Sequence, residues 1–507
     1  VTSISSTNAL EQLINQFSQP LAFLRELVQN SLDAGTSLLE VGVGFDDDSS
    51  RCYVRVSDNG HGMDRYTIDN RLTKLFASSK ENDLTKIGKF GIGFVSIFAV
   101  KPELVVLDTG QHGEAWRILF LPDRSFERRE LEEPVEGTTI TVFTPYQKSA
   151  LEKLQADCLE TLVYWCKYSD IDILFNGTPI NQSFDFQNAP YQYRLQVEGS
   201  EAVVTPSEKS EAFQGYYNRG LTLLEGAGSP YPYLSFKLRS RYLEHTLSRD
   251  NILRDEGYEK AMELVKRAAY EEMPLDLFQK IRQTDDPRLW EIARLAVRMD
   301  PTLPSKIAKV AAFPTREGRL SLNQFPSHYF HAPQVDSLWA DAEAEGHPIL
   351  LIPDPDDDQR LQFLGETGRV GRPLQEEFFQ YRAATPEKEE AMLLRYLKKA
   401  TRQYLVSPFL LDALNTPSSW RGVFCAYLSP GKRVERGRTD EKSWRDAVGI
   451  RRDHPYWQKL LTLYRLQPEL AVSMLVRMVN LELNLYRKGE AKLFQNLVDS
   501  LKLRVSE

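Results

Sequence analysis

The chain has 507 residues, 42% of them hydrophobic and 26% charged, and a formal net charge of -8. That length calls for two to four domains, the composition excludes a disordered chain, and the acidic balance argues against indiscriminate coating of nucleic acid while leaving room for a local basic groove. No apolar run reaches the ~18 residues of a membrane span, and Cys52, Cys158, Cys166 and Cys425 show neither a CxxC pair nor metal-ligand spacing, so they read as ordinary thiols in a reducing compartment.

In chain order, the opening "VTSISSTNALEQL" lacks the basic and apolar regions of a secretion signal, so a cytoplasmic location is expected. "NALEQLINQF" and "PLAFLRELVQNSLDAG" read as helices, the second opened by Pro20 and ended by Gly35. "LLEVGVGF", "CYVRVSDNG", "PELVVLDTG", "EAWRILFL" and "TTITVFTP" read as strands. Helices followed by strands in this order predict an α+β sandwich over 1–146. A mixed α/β region follows over 147–375. It opens on the helix "SALEKLQADCLETLVYWCKY", passes through "YLEHTLSRDNIL", and contains a small strand, helix and strand unit at 328–353. The run "PDPDDDQ" reads as a solvated acidic loop. From 376 to 507 the pattern reads as mostly helical, with "EEAMLLRYLKKATRQYL" and "PELAVSMLVRMVNLELNLYRKGEAKLFQNLVDSLKL" the clearest segments.

The helix "LRELVQNSLDAG" poses a chemical question. Leu24, Leu27, Val28 and Leu32 form its apolar stripe, yet Glu26, Asn30 and Asp33 fall within roughly 60° of one another on another face. Downstream, "VSDNGHGMD" puts Asp58, Gly60 and Gly62 at the end of a strand. "KIGKFGIGFVSIF" carries Gly88, Gly91 and Gly93 before a helix, and "EGTTITVF" places Gly137 and Thr138 at the start of a strand. Glycines before a helix let backbone N–H groups approach an anion, and the helix N-terminus favours negative charge. A carboxylate after a strand can accept from an exocyclic amine such as that of adenine. An Asn facing phosphates can ligate Mg²⁺ through its amide oxygen, and a Glu one turn earlier can polarise water. The glycines fit neither the dinucleotide fingerprint nor a Walker A loop.

In this order the four elements resemble the GHKL superfamily, the ATP-binding domain shared by DNA gyrase, the ninety-kilodalton heat-shock chaperones, histidine kinases and MutL. The matches are E-x-x-x-N-x-x-D-A at Glu26, Asn30, Asp33 and Ala34, D-x-G-x-G at Asp58, Gly60 and Gly62, G-x-x-G-x-G at Gly88, Gly91 and Gly93, and Gly-Thr at Gly137 and Thr138. The resemblance implies a Bergerat-type ATP-binding α/β sandwich with ATP and Mg²⁺ as ligands. Glu26 would be the general base and Asn30 the Mg²⁺ ligand. Asp58 would read the adenine amine with Thr138 in support, and Met63 would pack on the base. Gly91 and Gly93 would donate to the phosphates. Asp33, Gly62, Gly88, Ile92 and Phe94 complete the motif set. "DRYTIDNRLTKLFASSKENDLTK" would be a lid, with Asn70, Ser78 and Lys80 as candidate contacts.

The apolar framing of these motifs and the Ser-Arg pair before Asp250 resemble the chaperone family, which implies that Arg249 reaches the γ-phosphate. The implied function is ATP-driven remodelling of unfolded or partly folded protein clients by a homodimer, with neither nucleic acid nor membrane as a partner. The competing readings are a MutL- or topoisomerase-like ATP-gated clamp, to which the basic stretch "GKRVERGRTDEKSWRDAVGIRRDHP" would contribute, and a slowly hydrolysing nucleotide-switched scaffold. The chain departs from the chaperone family in its shorter length and in the charged "NILRDEGYEK" after the arginine loop.

Overall fold

The computed structural model describes residues 20–73, 92–245, 251–284, 286–356, 358–402, 405, 407–437, 447–485, 491, 495 and 499. The chain divides into two compact units, Val1–Pro274 and Leu275–Glu507. The helix predicted from "NALEQLINQF" lies outside the described residues.

In the first unit, Pro20–Ala22 forms a single 3₁₀ turn that leads into α1, Phe23–Asp33. Phe23, Leu24, Leu27 and Val28 bury the apolar stripe. The helix stops where Gly35 takes a φ of +71°. Strands β1 (Leu38–Asp46) and β2 (Arg51–Asp58) then pair antiparallel, with Val41 opposite Val56. Leu39, Val41 and Val43 alternate inward against Cys52, Val54 and Val56, the period-two pattern of a sheet with one buried face.

Strands β3 (Leu104–Gln111), β4 (Glu114–Phe120), β5 (Phe126–Glu130) and β6 (Thr138–Phe143) extend the sheet on one side. Helix α2 (Leu151–Cys166) carries the chain back to β7 (Asp172–Phe175), which pairs parallel with β1 and then antiparallel with β8 (Thr178–Pro179). The eight-stranded order is β5-β4-β3-β6-β2-β1-β7-β8. Because β7 and β8 belong to it, this sheet runs past residue 146 and includes chain up to Pro179. Leu27, Val28, Cys158, Leu162 and Cys166 pack with Val54, Ile118, Phe120 and Ile173 in one core. Burial pushes the Cys158 and Cys166 thiols up to about 12, which leaves them unreactive.

A second sheet in the same unit has the order β12-β11-β13-β10-β9. It is built from β9 (Tyr193–Val197), β10 (Ser200–Pro206), β11 (Phe213–Asn218), β12 (Leu221–Ala227) and β13 (Leu234–Ser240). Helix α3 (Glu256–Arg267) follows, its first turn capped by Asp255, which accepts the Tyr258 N–H at 2.9 Å.

The second unit contains α4 (Pro287–Met299) and the hairpin β14 (Ala311–Thr315) and β15 (Gly318–Ser321). A small α/β unit occupies residues 328–373. Strands β16 (His328–Ala332), β17 (Ile349–Leu351) and β18 (Val370–Pro373) form a parallel sheet in the order β17-β16-β18. Helices α5 (Ser337–Ala344) and α6 (Gln359–Glu366) supply its crossovers. Within the acidic run, Asp358 caps α6 by accepting the Arg360 N–H at 2.8 Å.

After 376 the expected helices appear as α7 (Lys388–Thr401), α8 (Pro455–Leu466) and α9 (Pro468–Glu482). They accompany a five-stranded sheet that helical patterning does not reveal. It contains β19 (Phe378–Ala383), β20 (Pro408–Asn415), β21 (Cys425–Leu428), β22 (Val434–Arg436) and β23 (Ala447–Arg451). Every residue of β21 and β23 is buried, so neither shows the in-out alternation that marks a strand in sequence. The described arginines of the basic stretch that make ion pairs do so within the protein: Arg433 with Asp341, Arg436 with Glu377, Arg451 with Asp453, and Arg452 with Glu390. Among the described residues no helix is long and apolar enough to cross a membrane.

Candidate nucleotide site

The motif segments interlock through backbone contacts at the C-terminal end of α1. Asn59 ties the start of β1 to the end of β2, because its Oδ1 accepts the N–H groups of Ser37 at 2.9 Å and Leu38 at 3.1 Å. The His61 N–H donates to the Ala34 carbonyl at 3.1 Å. Gly137 has a φ of +67°, and a Cβ there would fall 2.0 Å from the Asp58 carbonyl oxygen. Only glycine permits both the conformation and the approach. The second and fourth motifs are therefore in van der Waals contact.

The Asp58 carboxylate accepts the Ser31 hydroxyl at 2.7 Å through Oδ2 and the Gly60 N–H at 2.9 Å through Oδ1. A carboxylate offers about four acceptor sites, so these bonds orient Asp58 without exhausting it. Behind it, the buried Thr109 hydroxyl accepts the Met63 N–H at 2.9 Å and donates to the Gly137 carbonyl at 3.1 Å, and it lies 3.0 Å from the Thr138 hydroxyl. Neither Thr109 nor Asn59 stood out in sequence, because each acts through partners far away in the chain.

These residues surround a cavity of about 410 Å³, within the size range of small-ligand sites. Asn30, Asp33, Asp58, Gly62, Met63, Phe94 and Thr138, all from the motif segments, line it. Leu27, Ser31, His61, Thr67, Arg71, Leu72, Leu107 and Ile140 line it as well. Glu26 does not line it. It is buried beside it, with Oε2 so close to Gly93 that a Cβ there would lie 2.8 Å away. Gly93 thus brings the helix after the third motif, Ile92–Val95, onto the carboxylate. Asn70 turns away: its amide donates to the Tyr66 carbonyl at 2.9 Å, and its neighbour Arg71 faces the cavity instead. Asp33 accepts from Arg219 at 2.9 Å, an arginine on the β11–β12 turn of the second sheet. Ser78, Lys80, Gly88, Gly91 and Arg249 lie outside the described residues.

Both flanks of the arginine loop are described. His245 and Ile252 form a backbone bridge across its base, and the His245 imidazole contacts the guanidinium of Arg25, the residue before Glu26. Arg25 has donors only, so Nε2 of His245 accepts and the ring is neutral. Burial first, and then the Arg25 charge, push His245 down to about 3. Arg25 also lies 4.6 Å over the Trp165 ring. The base of the loop is thus packed on the helix that carries Glu26.

Among the described residues no group of three His, Cys, Asp or Glu could cage a cation.

Residues 20–150 match the family model for histidine kinase-, DNA gyrase B-, and HSP90-like ATPases. The chain carries a GHKL-type domain there, as the motif order implied. It is similar to the chaperone protein HtpG of Aromatoleum aromaticum, 32% identical over 160 residues, which cover 25% of this chain and 24% of the relative. It is also similar to HtpG of Coxiella burnetii, 27% identical over 186 residues covering 30% and 28% of the two chains, and to HtpG of Idiomarina loihiensis, 32% identical over 156 residues covering 24% of each. The matched segment thus spans about a quarter of the length of these curated relatives.

Proposed function

We propose that this protein is a Mg²⁺-dependent ATPase of the heat-shock chaperone type, which uses nucleotide binding and hydrolysis to remodel bound, partly folded protein chains as a homodimer. One observation carries the reading. The described parts of four motif segments, far apart in sequence, enclose a single cavity with an oriented carboxylate at Asp58 and a buried one at Glu26 beside it.

In this reading Asp58 accepts the adenine amine, and Met63 and Leu107 bound the ring. Asn30 offers its amide oxygen to Mg²⁺, which when bound would neutralise phosphate charge. Glu26 takes a proton from the water that attacks the γ-phosphorus as the bond to the bridging oxygen breaks. Arg249 enters by its motif alone, as the cation that stabilises charge on the transferred group. The packing of His245 on Arg25 supports that role, because it holds the base of the loop beside α1. Only a difference in nucleotide affinity between conformations can drive client remodelling.

The test is steady-state hydrolysis by the full chain beside Glu26→Ala, with nucleotide binding measured in parallel. Glu26→Ala should retain ATP binding and lose about a hundredfold or more in rate. Wild-type rate should rise with an unfolded client and stay flat with DNA. Hydrolysis that survives Glu26→Ala would remove Glu26 as the base, and stimulation by DNA alone would move the protein to the clamp class.

A further inference from the structure

The cavity wall carries a cation that no described residue of the protein engages. Arg71 lines the cavity between Thr67 and Leu72 and makes no hydrogen bond or ion pair among the described residues. The arginines near it are engaged. Arg65 and Arg128 both meet Asp69, Arg117 meets Asp108, and Arg219 holds Asp33.

Local geometry explains why Arg71 stands there. Asp64 accepts the Thr67 N–H at 2.8 Å and starts a short helix, Arg65–Thr67. The helix widens into a π-turn over Ile68–Leu72, closed by the Thr73 N–H donating to the Ile68 carbonyl at 2.9 Å. Such widened turns occur often at functional sites. Here the Asn70 amide is bonded back to its own helix, and position 71 faces the cavity.

We propose that Arg71 binds a phosphate group of the nucleotide, which deepens the nucleotide reading of this cavity and rests on it. A guanidinium has donors only, so its partner must be an acceptor, and its planar fork matches phosphate oxygens. Neither of the cavity's carboxylates is paired with Arg71: Asp33 is held by Arg219, and Asp58 is oriented by Ser31 and Gly60 with capacity left for a ligand donor. Among the described residues no anion is paired with it, so an anionic ligand is the partner the cavity favours. Arg71 is therefore a nucleotide contact additional to the four motifs, and it discriminates phosphorylated ligands from the bare nucleoside.

The experiment measures affinity of the full chain for adenosine, AMP, ADP and ATP in wild type, Arg71→Gln and Arg71→Lys. Arg71→Gln should weaken ADP and ATP about tenfold, the size of one charge-assisted hydrogen bond, and leave adenosine within about twofold. The ligand at which the loss first appears, AMP or ADP, identifies the phosphate. Arg71→Lys should restore part of the loss, and added salt should weaken ADP more in wild type than in Arg71→Gln. The side chain is exposed, so the thermal midpoint should hardly move. Equal losses for adenosine and the nucleotides, or no loss for any, would overturn the assignment while leaving the nucleotide reading in place. A wild type that binds none of the four would overturn both.

Discussion

The two sheets of the first unit treat charged side chains in opposite ways. In the second sheet the buried charges are satisfied by partners within the protein. Glu225 accepts from Lys167 and from the Tyr217 hydroxyl at 2.5 Å, and Glu201 pairs with Arg194 and Arg239. The Lys237 ammonium donates to the Tyr168 hydroxyl at 2.5 Å and the Asp185 carbonyl at 2.6 Å, and lies 4.5 Å from the Tyr168 ring centre. At the first sheet, Asp58 is oriented by two neutral donors and faces open space, and Arg71 faces the same space with no partner among the described residues. Buried charge alone therefore does not mark a functional site. The mark is charge whose hydrogen-bonding capacity is directed into a cavity and left incomplete by the protein.

This contrast can be tested by exchanging the consequences. The largest effect on folding is expected from Glu225→Gln, which leaves the Lys167 ammonium, with its side chain only 16% exposed, facing a neutral amide. Loss of one partner from such a buried pair costs about 3 kcal/mol, so denaturant unfolding should show that loss while nucleotide affinity stays within about twofold. A fall in affinity without a fall in stability would contradict the division of roles. Asp58→Asn should do the reverse. It keeps one acceptor oxygen for Ser31 or Gly60 and loses the carboxylate, so adenine-nucleotide affinity should drop by about tenfold to a hundredfold with little change in unfolding. Calorimetric titration beside a melting curve reads both quantities.

The smallest effect is a pH dependence. Burial first, and then the nearby Lys167 charge, lower the Lys237 amine from 10.5 to about 8. Between those two values the folded chain holds fewer protons than the unfolded chain at this group, so its contribution to stability rises with pH. Wild type should therefore gain stability relative to Lys237→Met as pH rises from about 8 to 10.5. A gap that stays constant across this range would show that the amine is not held below its ordinary value.

The second sheet also shows why parts of the fold escape sequence patterning. Lys237, Glu201, Thr205 and Thr222 are buried on its strands, so inward positions carry polar letters and the apolar alternation fails. In the second unit β21 and β23 fail for the opposite reason, being buried on both faces. Strands β1 and β2, apolar on one face only, were legible.

The sequence by itself determined the chemistry of the candidate site. Helix α1, the Asp58 turn and the Gly137–Thr138 strand start are local patterns, and their residue types already specify a carboxylate, an amide and close backbone approach. Only the tertiary structure decided the supporting contacts. Thr109 bridges Met63 and Gly137, Asn59 holds the chain after α1, Arg219 arrives from the second sheet to hold Asp33, and the widened turn puts Arg71 rather than Asn70 on the cavity wall. The reason is physical. Helix period and glycine conformation are set by neighbours in the chain, whereas a hydrogen-bond partner tens of residues away is set by strand register, which no local window contains.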